Sequence, residues 1–89
     1  MIKIVKAKYL DGYRIRLFFS DGSVADYDFS ELLRKKSSLT KDLEDLEYFK
    51  NFLIDLGAIG WKNGLELSPW SLYEKARERG WLQSIKDVA

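Results

Sequence analysis

The chain has 89 residues, of which 46% are hydrophobic and 15% aromatic, and its formal net charge is +1. A chain of this length buries about 60 to 65% of its unfolded surface, which suffices for one hydrophobic core but not for two. We therefore predict a single domain over residues 1–89, with a core over about 2–74 and a C-terminal helix and tail over 69–89. The near-neutral charge is unlike the strongly basic balance of proteins that bind the phosphate backbone.

Cysteine and histidine are both absent. Their absence excludes disulfides, Cys/His zinc sites, cysteine nucleophiles and a histidine general base, and most hydrolase and transferase constellations with them. Lysines interrupt the apolar residues at the N-terminus, so no signal peptide is expected there, and no apolar run approaches the roughly 18 residues of a membrane span. We expect a cytoplasmic protein with no catalytic residue, no bound metal, no cofactor and no membrane contact.

Residues 2–29 predict an antiparallel meander of three strands. The alternation is clearest in the second strand, whose inward apolar row is Tyr13, Ile15, Leu17 and Phe19. Asp-Gly pairs at 11–12 and 21–22 bracket this strand and favour tight hairpin turns. The inward row of the third strand is Ala25, Tyr27 and Phe29, and the opposite row is Val24, Asp26 and Asp28.

The first strand has apolar residues on both faces. Ile2 and Ile4 alternate with Val5, Ala7 and Tyr9. A strand that is apolar on both sides is typical of the buried centre of a sheet, so we predict a central position for it.

Helical signals follow the meander. Ser30 is a good N-cap for a short helix over 31–36, which the serines at 37 and 38 end. From Leu39 to about Lys50, leucine and phenylalanine recur at spacings of three and four, which predicts a second helix.

A second short hairpin and a last helix complete the prediction. The apolar residues after Lys50 and the Asn63-Gly64 turn predict the hairpin. The pair Ser68-Pro69 favours a helix start, and Gly80 favours its end, after which an apolar residue commonly folds back onto the last turn. The predicted fold class is therefore α+β: an antiparallel meander and a second hairpin, packed with two or three helices.

Tryptophan stands at positions 61, 70 and 81. We predict that all three side chains seal the core between the sheet and the last helix, because aromatic residues dominate small cores. The alternative is that Trp70 or Trp81 anchors a protein partner, since exposed Trp and Arg side chains are frequent interface hot spots. Together with Arg14 and Arg16, which the alternation places on the outer face, they are the candidate partner-binding residues.

Two further candidate sites consist of charged residues. A basic patch on the first hairpin would comprise Lys3, Lys6, Lys8, Arg14 and Arg16, beside Phe18, which could stack on a base. A solvated sheet face explains the same charges. An oxygen site for Mg²⁺ or Ca²⁺ would comprise Asp21, Asp26 and Asp28. The alternative is that these carboxylates face solvent and discourage edge-to-edge pairing of strands.

Two segments of the chain, taken together and in their order along the sequence, resemble a known family. The first is Leu-Phe-Phe-Ser-Asp-Gly over 17–22, and the second is the pattern W-x-N-G-x-E-L-S-P-x-x-L-Y over 61–73. They resemble the bacterial family called domain of unknown function 2442, and the likeness runs from about Ile2 to Glu74. Lys62 stands where that family often has proline, and the tail after Trp81 is longer than usual.

The resemblance implies a small α+β domain without an established activity, and it supplies no catalytic residue. It also implies that such a protein is often encoded beside a second short protein, in an arrangement similar to a toxin and antitoxin pair. Some members are fused to a helix-turn-helix domain.

The leading interpretation is a non-enzymatic binding module, the antitoxin-like partner of a small neighbouring protein. One alternative is a nucleic-acid-binding regulator that uses the basic face of the first hairpin. The other is a divalent-metal-dependent enzyme built on the three aspartates named above. The sequence leaves the oligomeric state open, including a homodimer.

Overall fold

The structure is a computed structural model that describes residues 1–87, so the end of the predicted tail, 88–89, lies outside the described residues. Its α+β architecture confirms the predicted fold class. The strands are β1 (Ile4–Asp11), β2 (Arg14–Phe19), β3 (Ser23–Asp28), β4 (Leu53–Asp55), β5 (Ala58–Gly60), β6 (Glu66–Leu67) and β7 (Leu82–Ser84). The helices are α1 (Ser30–Leu33), α2 (Ser38–Lys41), α3 (Leu46–Lys50) and α4 (Pro69–Glu78), with 3-10 turns at Asp42–Glu44 and Ile85–Asp87.

The larger sheet is the predicted meander with one more strand, in the order β1-β2-β3-β7, all antiparallel. The inward rows of β2 and β3 are confirmed, because Ile15, Leu17 and Ala25 are all buried. The tail does fold back, since the Trp81 N–H donates to the carbonyl of Ala76 at 2.8 Å. The tail then continues as β7. A strand of three residues is too short to be predicted from an alternating pattern.

The predicted central position of β1 is wrong, because β1 is the edge strand of this sheet. Its pairing with β2 is irregular: Ile4 pairs with Phe19 and Lys6 with Phe18, so Val5 is an extra residue in the ladder. Such a bulge shifts every side chain before it to the other face. Ile4 is therefore buried on the inner side, while Val5 is exposed.

The short helices differ in detail from the prediction. Ser30 lies inside α1 instead of capping it, and its N–H donates to Asp28 Oδ1 at 2.9 Å. Helix α1 ends at Leu33, earlier than expected. Ser37 does not end this helix but caps α2, in a reciprocal capping box with Thr40.

The helix predicted from Leu39 to Lys50 is broken into α2, a 3-10 turn and α3, although it does end at Lys50. The break lies at Asp45, whose backbone is extended and whose carboxylate accepts the N–H of Glu47 at 3.0 Å. A capping aspartate therefore restarts the helix in the middle of an apolar pattern that remains helical in spacing.

The second sheet is the three-stranded antiparallel sheet β4-β5-β6. The turn between β4 and β5 consists of Leu56 and Gly57, which have φ angles of 50° and 85°. Positive φ at both positions characterises the tight hairpin turns that favour Asn-Gly. Leu56 is 92% exposed, so its side chain gains little from packing to offset the left-handed conformation.

Replacing Leu56 with asparagine should therefore raise the free energy of unfolding by about 1 kcal/mol. For a domain of this size, the melting temperature should rise by about 4 to 8 °C in a thermal denaturation followed by circular dichroism. Leu53→Asn is the control, because Leu53 is a partly exposed residue of β4 with an extended backbone. A Leu56→Asn variant that melts below the parent would contradict this account of the turn.

The core lies between the larger sheet, the second sheet and the helices. Phe49 of α3 is at its centre, with ring centroids 4.7 Å from Tyr13 and 5.8 Å from Trp61. Leu72 and Ala76 of α4 are buried in the same cluster. As predicted, α4 is capped by Ser68, whose Oγ accepts the N–H of Ser71, and the helix closes the core.

Candidate binding surfaces

The three tryptophans have different environments. Trp61 is buried, and its Nε1–H donates to the carbonyl of Phe49 at 2.9 Å. Trp81 is half-buried, edge-on to Tyr27 at a centroid distance of 5.1 Å, and the guanidinium of Arg79 lies 5.2 Å from its ring. The core-sealing prediction is confirmed for these two residues.

The core-sealing prediction is wrong for Trp70, whose side chain is 55% exposed. At about 100° per residue, Trp70 lies roughly 160° around α4 from the buried Leu72, so the core face of the helix turns away from it. Tyr73 is its neighbour one turn on, and the two rings stack at 5.8 Å with an interplanar angle of 13°. Trp70 therefore remains a candidate partner contact.

Arg14 and Arg16 lie on the outer face of the larger sheet, opposite the core, as predicted. Arg16 makes a bidentate pair with Asp26, with Nε–Oδ1 and Nη2–Oδ2 distances of 2.7 and 3.1 Å. Arg14 Nη1 lies 2.8 Å from Asp11 Oδ2. Both arginine charges are therefore compensated within this chain, which leaves them less free for a partner than the sequence suggests.

The Arg16 pair makes the stability depend on pH. The hydrogen bonds from Arg16 lower the pKa of the Asp26 carboxyl, with help from the positive charges of Arg16 and Arg14. A carboxyl with a lowered folded pKa stabilises the fold fully above its unfolded pKa of about 3.9, and this contribution is lost as the pH falls through the folded value.

Asp26→Asn should therefore lower the free energy of unfolding by about 0.5 to 1 kcal/mol at pH 7, because the pair is partly solvated. Near pH 2.5 the difference should be much smaller. Urea denaturation at the two pH values measures both, with Asp55→Asn as a control that removes a carboxylate on the other sheet. An equal loss at both pH values would show that the effect does not come from the charge of Asp26.

The basic patch contains fewer residues than the sequence predicts. Lys6 and Lys8 are exposed on the outer face, and Lys6 Nζ lies 5.4 Å from the centre of the Phe18 ring. Neither lysine forms an ion pair within residues 1–87. Lys3 does not belong to the patch, because the stem of its side chain packs on Gly57 in the turn between β4 and β5.

The three aspartates of the predicted metal site are engaged separately. Asp21 Oδ2 accepts the hydroxyl of Tyr73 at 2.7 Å, and Asp21 Oδ1 accepts the N–H of the residue two positions on. Asp26 pairs with arginine, and Asp28 accepts the N–H of Ser30. The described part of the chain contains no group of three acidic residues placed to hold a metal ion. The structure thus does not bring the predicted ligands together.

Exposed apolar side chains collect instead at one end of the larger sheet, around the turn between β2 and β3. Val5 is 63% and Ile85 is 51% exposed, and with Phe18 and Ser20 they line a shallow groove. A second shallow groove, lined by Trp70 and Asp21, also has Ser20 in its wall. The two grooves therefore form one surface, here called the turn-end surface, consisting of Val5, Phe18, Ser20, Trp70 and Ile85.

A cavity of about 220 Å³ lies between α1 and α4. Here called the α1–α4 cavity, it is lined by apolar side chains, among them Leu32, Leu67 and Leu72, and by equal numbers of acidic and basic side chains, namely Asp28, Glu31, Glu66, Lys35, Lys75 and Arg79. An ion pair between Glu31 and Arg79, 2.7 Å long, forms part of its wall. These residues come from two stretches of the chain that are distant in sequence, 27–35 and 66–79, so no single sequence motif predicts the cavity.

Most of the chain matches the model of a known protein family. The model of a family described as Protein of unknown function (DUF2442) matches residues 4–78. The chain belongs to the DUF2442 family. The match begins with β1 and ends with α4, and it confirms the resemblance found in the sequence. No curated protein and no solved structure matches this DUF2442 chain.

The residues that carry the likeness to DUF2442 have structural roles in this chain. Asn63 Nδ2 donates to the carbonyl of Leu39 at 2.8 Å and to Asp42 Oδ2 at 3.0 Å. Asn63 Oδ1 accepts the N–H of Leu65 at 3.0 Å. The W-x-N-G segment therefore ties the second hairpin to the region before α3. Of the turn-end surface, Ile85 lies beyond the matched residues.

No helix within residues 1–87 has the length and the apolar character needed to cross a bilayer.

Proposed function

We propose that this chain is a non-enzymatic protein-binding module that docks on a partner through its turn-end surface. The observation that carries the proposal is the grouping of Val5, Trp70 and Ile85, all more than half exposed, at one end of the sheet. Single exposed apolar residues are ordinary on soluble proteins, whereas a contiguous group of them typically marks an interaction site.

The Trp70 side chain is well prepared to act as an anchor. Its ring stacks on Tyr73, which is itself held edge-on to Phe19 at 5.2 Å and by a 2.7 Å hydrogen bond to Asp21. A side chain that is already oriented loses less conformational entropy when a partner covers it. Tryptophan is also among the residues that most often dominate interface energies.

The charges near this surface indicate the chemistry of the partner. Lys6 lines the groove beside Phe18, and Lys8 follows it on the same face. Asp21 is the only carboxylate that lines either groove in the described residues, and it already accepts hydrogen bonds from Tyr73 and Ser23. The matching surface is therefore an apolar side chain flanked by carboxylates. We propose the small protein encoded beside this chain as the partner, in an antitoxin-like role.

Co-expression of the chain with the neighbouring gene product, followed by size-exclusion chromatography, tests the proposal. The two proteins should elute together at micromolar concentration. Trp70→Ala should weaken the complex by about 30-fold or more, the effect of a hot-spot residue. Leu56→Asn is the matched control, because it removes an exposed apolar side chain at a different turn, and it should leave the affinity unchanged. Separate elution of the parent proteins would refute the proposal.

A nucleic-acid-binding regulator is the second candidate, since Lys6 and Lys8 lie beside Phe18 without carboxylate partners. Asp11 and Asp26 neutralise Arg14 and Arg16 on the same face, which leaves Lys6 and Lys8 to contact phosphates and favours a protein partner. We expect no retention of a labelled duplex or a labelled single strand at 50 mM salt. Tight binding that weakens steeply with salt would favour the regulator instead.

A further inference from the structure

We propose that Asn63 is a modification site, at which the side-chain amide is lost as ammonia and the residue becomes aspartate or isoaspartate. Asn63 precedes Gly64 in the turn between β5 and β6. Neither residue lines the grooves of the turn-end surface or the α1–α4 cavity. The proposal is therefore independent of the proposed partner.

The reaction needs no reagent other than water. The backbone N–H of Gly64 loses its proton, the nitrogen forms a bond to Cγ of Asn63, and Nδ2 takes up a proton and leaves as ammonia. The product is a cyclic imide, which water then opens. Opening at Cγ leaves the main chain intact and gives aspartate, whereas opening at the backbone carbonyl carbon gives isoaspartate.

The residue that follows an asparagine decides how easily this ring closes. Glycine adopts conformations that other residues avoid, and Gly64 has no side chain to hinder its own nitrogen. The chain has one other asparagine, Asn51, and the bulky Phe52 follows it. In the unfolded chain Asn63 is therefore the more reactive asparagine, and Asn51 is its internal reference.

The folded chain holds the amide group of Asn63 at both ends. Its Nδ2 donates to the carbonyl of Leu39 at 2.8 Å and to Asp42 Oδ2 at 3.0 Å, and its Oδ1 accepts the N–H of Leu65 at 3.0 Å. These bonds fix the plane of the amide. The amide must leave them before Cγ can turn towards the nitrogen of Gly64.

The attacking nitrogen is engaged as well. The N–H of Gly64 donates to the carbonyl of Trp61 at 3.1 Å, and the N–H of Trp61 donates to the carbonyl of Leu65 at 2.9 Å. The N–H of Asn63 donates to the hydroxyl of Tyr48 at 2.9 Å. The turn must therefore open before the ring can close, so the rate follows the fraction of molecules in which this hairpin is open.

Deamidation makes the opening permanent. A carboxylate at position 63 has no hydrogen to donate, and it would face the carboxylate of Asp42 and the carbonyl of Leu39, which repel it. Isoaspartate also adds a methylene group to the main chain, which displaces the paired backbone groups of Trp61 and Leu65. The reaction therefore detaches the second hairpin from the region before α3 and limits the lifetime of the folded chain.

Incubation of the chain in neutral buffer, both folded and in guanidinium chloride, tests the site. Peptide mapping by mass spectrometry under acidic conditions follows both asparagines. Asn63 should deamidate much faster than Asn51 in the denaturant, and folding should slow Asn63 by about 10-fold or more. Equal rates for Asn63 in the two states, or for the two asparagines in denaturant, would overturn the proposal.

A variant tests whether the fold protects Asn63 through the contacts described. Asp42→Ala removes one of the two acceptors of Nδ2 and should raise the rate of deamidation in the folded chain about 5-fold. Asp55→Ala, which removes an exposed carboxylate from β4, is the control and should leave the rate unchanged. Equal rates in Asp42→Ala and the parent would refute this account of the protection.

A second variant reproduces the product. Asn63→Asp should lower the melting temperature by about 8 to 16 °C, because it replaces two donated hydrogen bonds with repulsion. Asn51→Asp is the matched control, since Asn51 Nδ2 donates a single exposed hydrogen bond, to the carbonyl of Glu47, and should cost less than half as much. An Asn63→Asp variant that melts with the parent would contradict the claim that deamidation detaches the hairpin.

Discussion

Replacing Phe49 with alanine should lower the free energy of unfolding by about 4 kcal/mol, the usual cost of truncating a buried phenylalanine. Phe49 is 0% exposed, and four aromatic rings surround it: Tyr9, Tyr13, Phe29 and Trp61. Tyr9 lies in β1 and Tyr13 in the turn after it, whereas Phe29 directly follows β3 and Trp61 directly follows β5. Their rigid shapes cannot collapse fully into the space that the phenyl ring leaves.

Urea denaturation measures this loss, and thermal denaturation should show a melting temperature lower by roughly 15 to 30 °C. Phe49→Leu is the control, since it retains much of the apolar volume and should cost less than half as much. A cost below 1 kcal/mol for Phe49→Ala would mean that α3 does not hold the two sheets together.

Replacing Trp61 with phenylalanine should cost about 3 kcal/mol. The indole Nε1–H of Trp61 donates to the carbonyl of Phe49 at 2.9 Å in a buried position. Phenylalanine removes this donor and leaves the carbonyl at the end of α3 without its partner, which alone costs about 1 to 3 kcal/mol. The smaller ring also leaves a space beside Phe49 and Phe29, which adds to the loss.

Trp81→Phe is the matched control for this substitution. Trp81 is half-buried, and its indole N–H donates no hydrogen bond within residues 1–87. The same chemical change should therefore cost less than half as much as Trp61→Phe when both variants are unfolded in urea. Equal costs would show that the hydrogen bond to Phe49 does not stabilise the fold.

The meander could be predicted from the sequence because local signals agree there. The alternating rows of β2 and β3 and the glycines at positions 12 and 22 lead to the same arrangement. Ser68, Pro69 and Gly80 likewise define both ends of α4. In these segments the chain needs no distant contact to specify its conformation.

The errors arise where a distant contact or a single residue overrides the local pattern. The bulge at Val5 reverses the faces of β1, and no residue type in the first strand identifies it. Asp45 interrupts a helical spacing that is otherwise continuous. The strand β7 forms because Trp81 turns back towards Ala76 and brings Leu82 beside Ala25.

The candidate sites were less predictable than the fold. The sequence correctly places Arg14 and Arg16 on the outer face. It does not predict their aspartate partners, because alternation alone does not show which residues of neighbouring segments lie beside them. The exposure of Trp70 could have been predicted, because its position on the helix relative to Leu72 and Ala76 places it away from the core face. Val5 and Ile85 join the surface only through the bulge and the added strand.

The central claim is that partner binding uses the turn-end surface. Mapping by NMR tests it most directly, with the ¹⁵N-labelled chain titrated with the unlabelled product of the neighbouring gene. We predict that the largest shifts occur at the backbone amides of Val5, Phe18 and Ile85 and at the indole N–H of Trp70, with little change around Leu56. Shifts confined to the second sheet, or no shift at any residue, would contradict the claim.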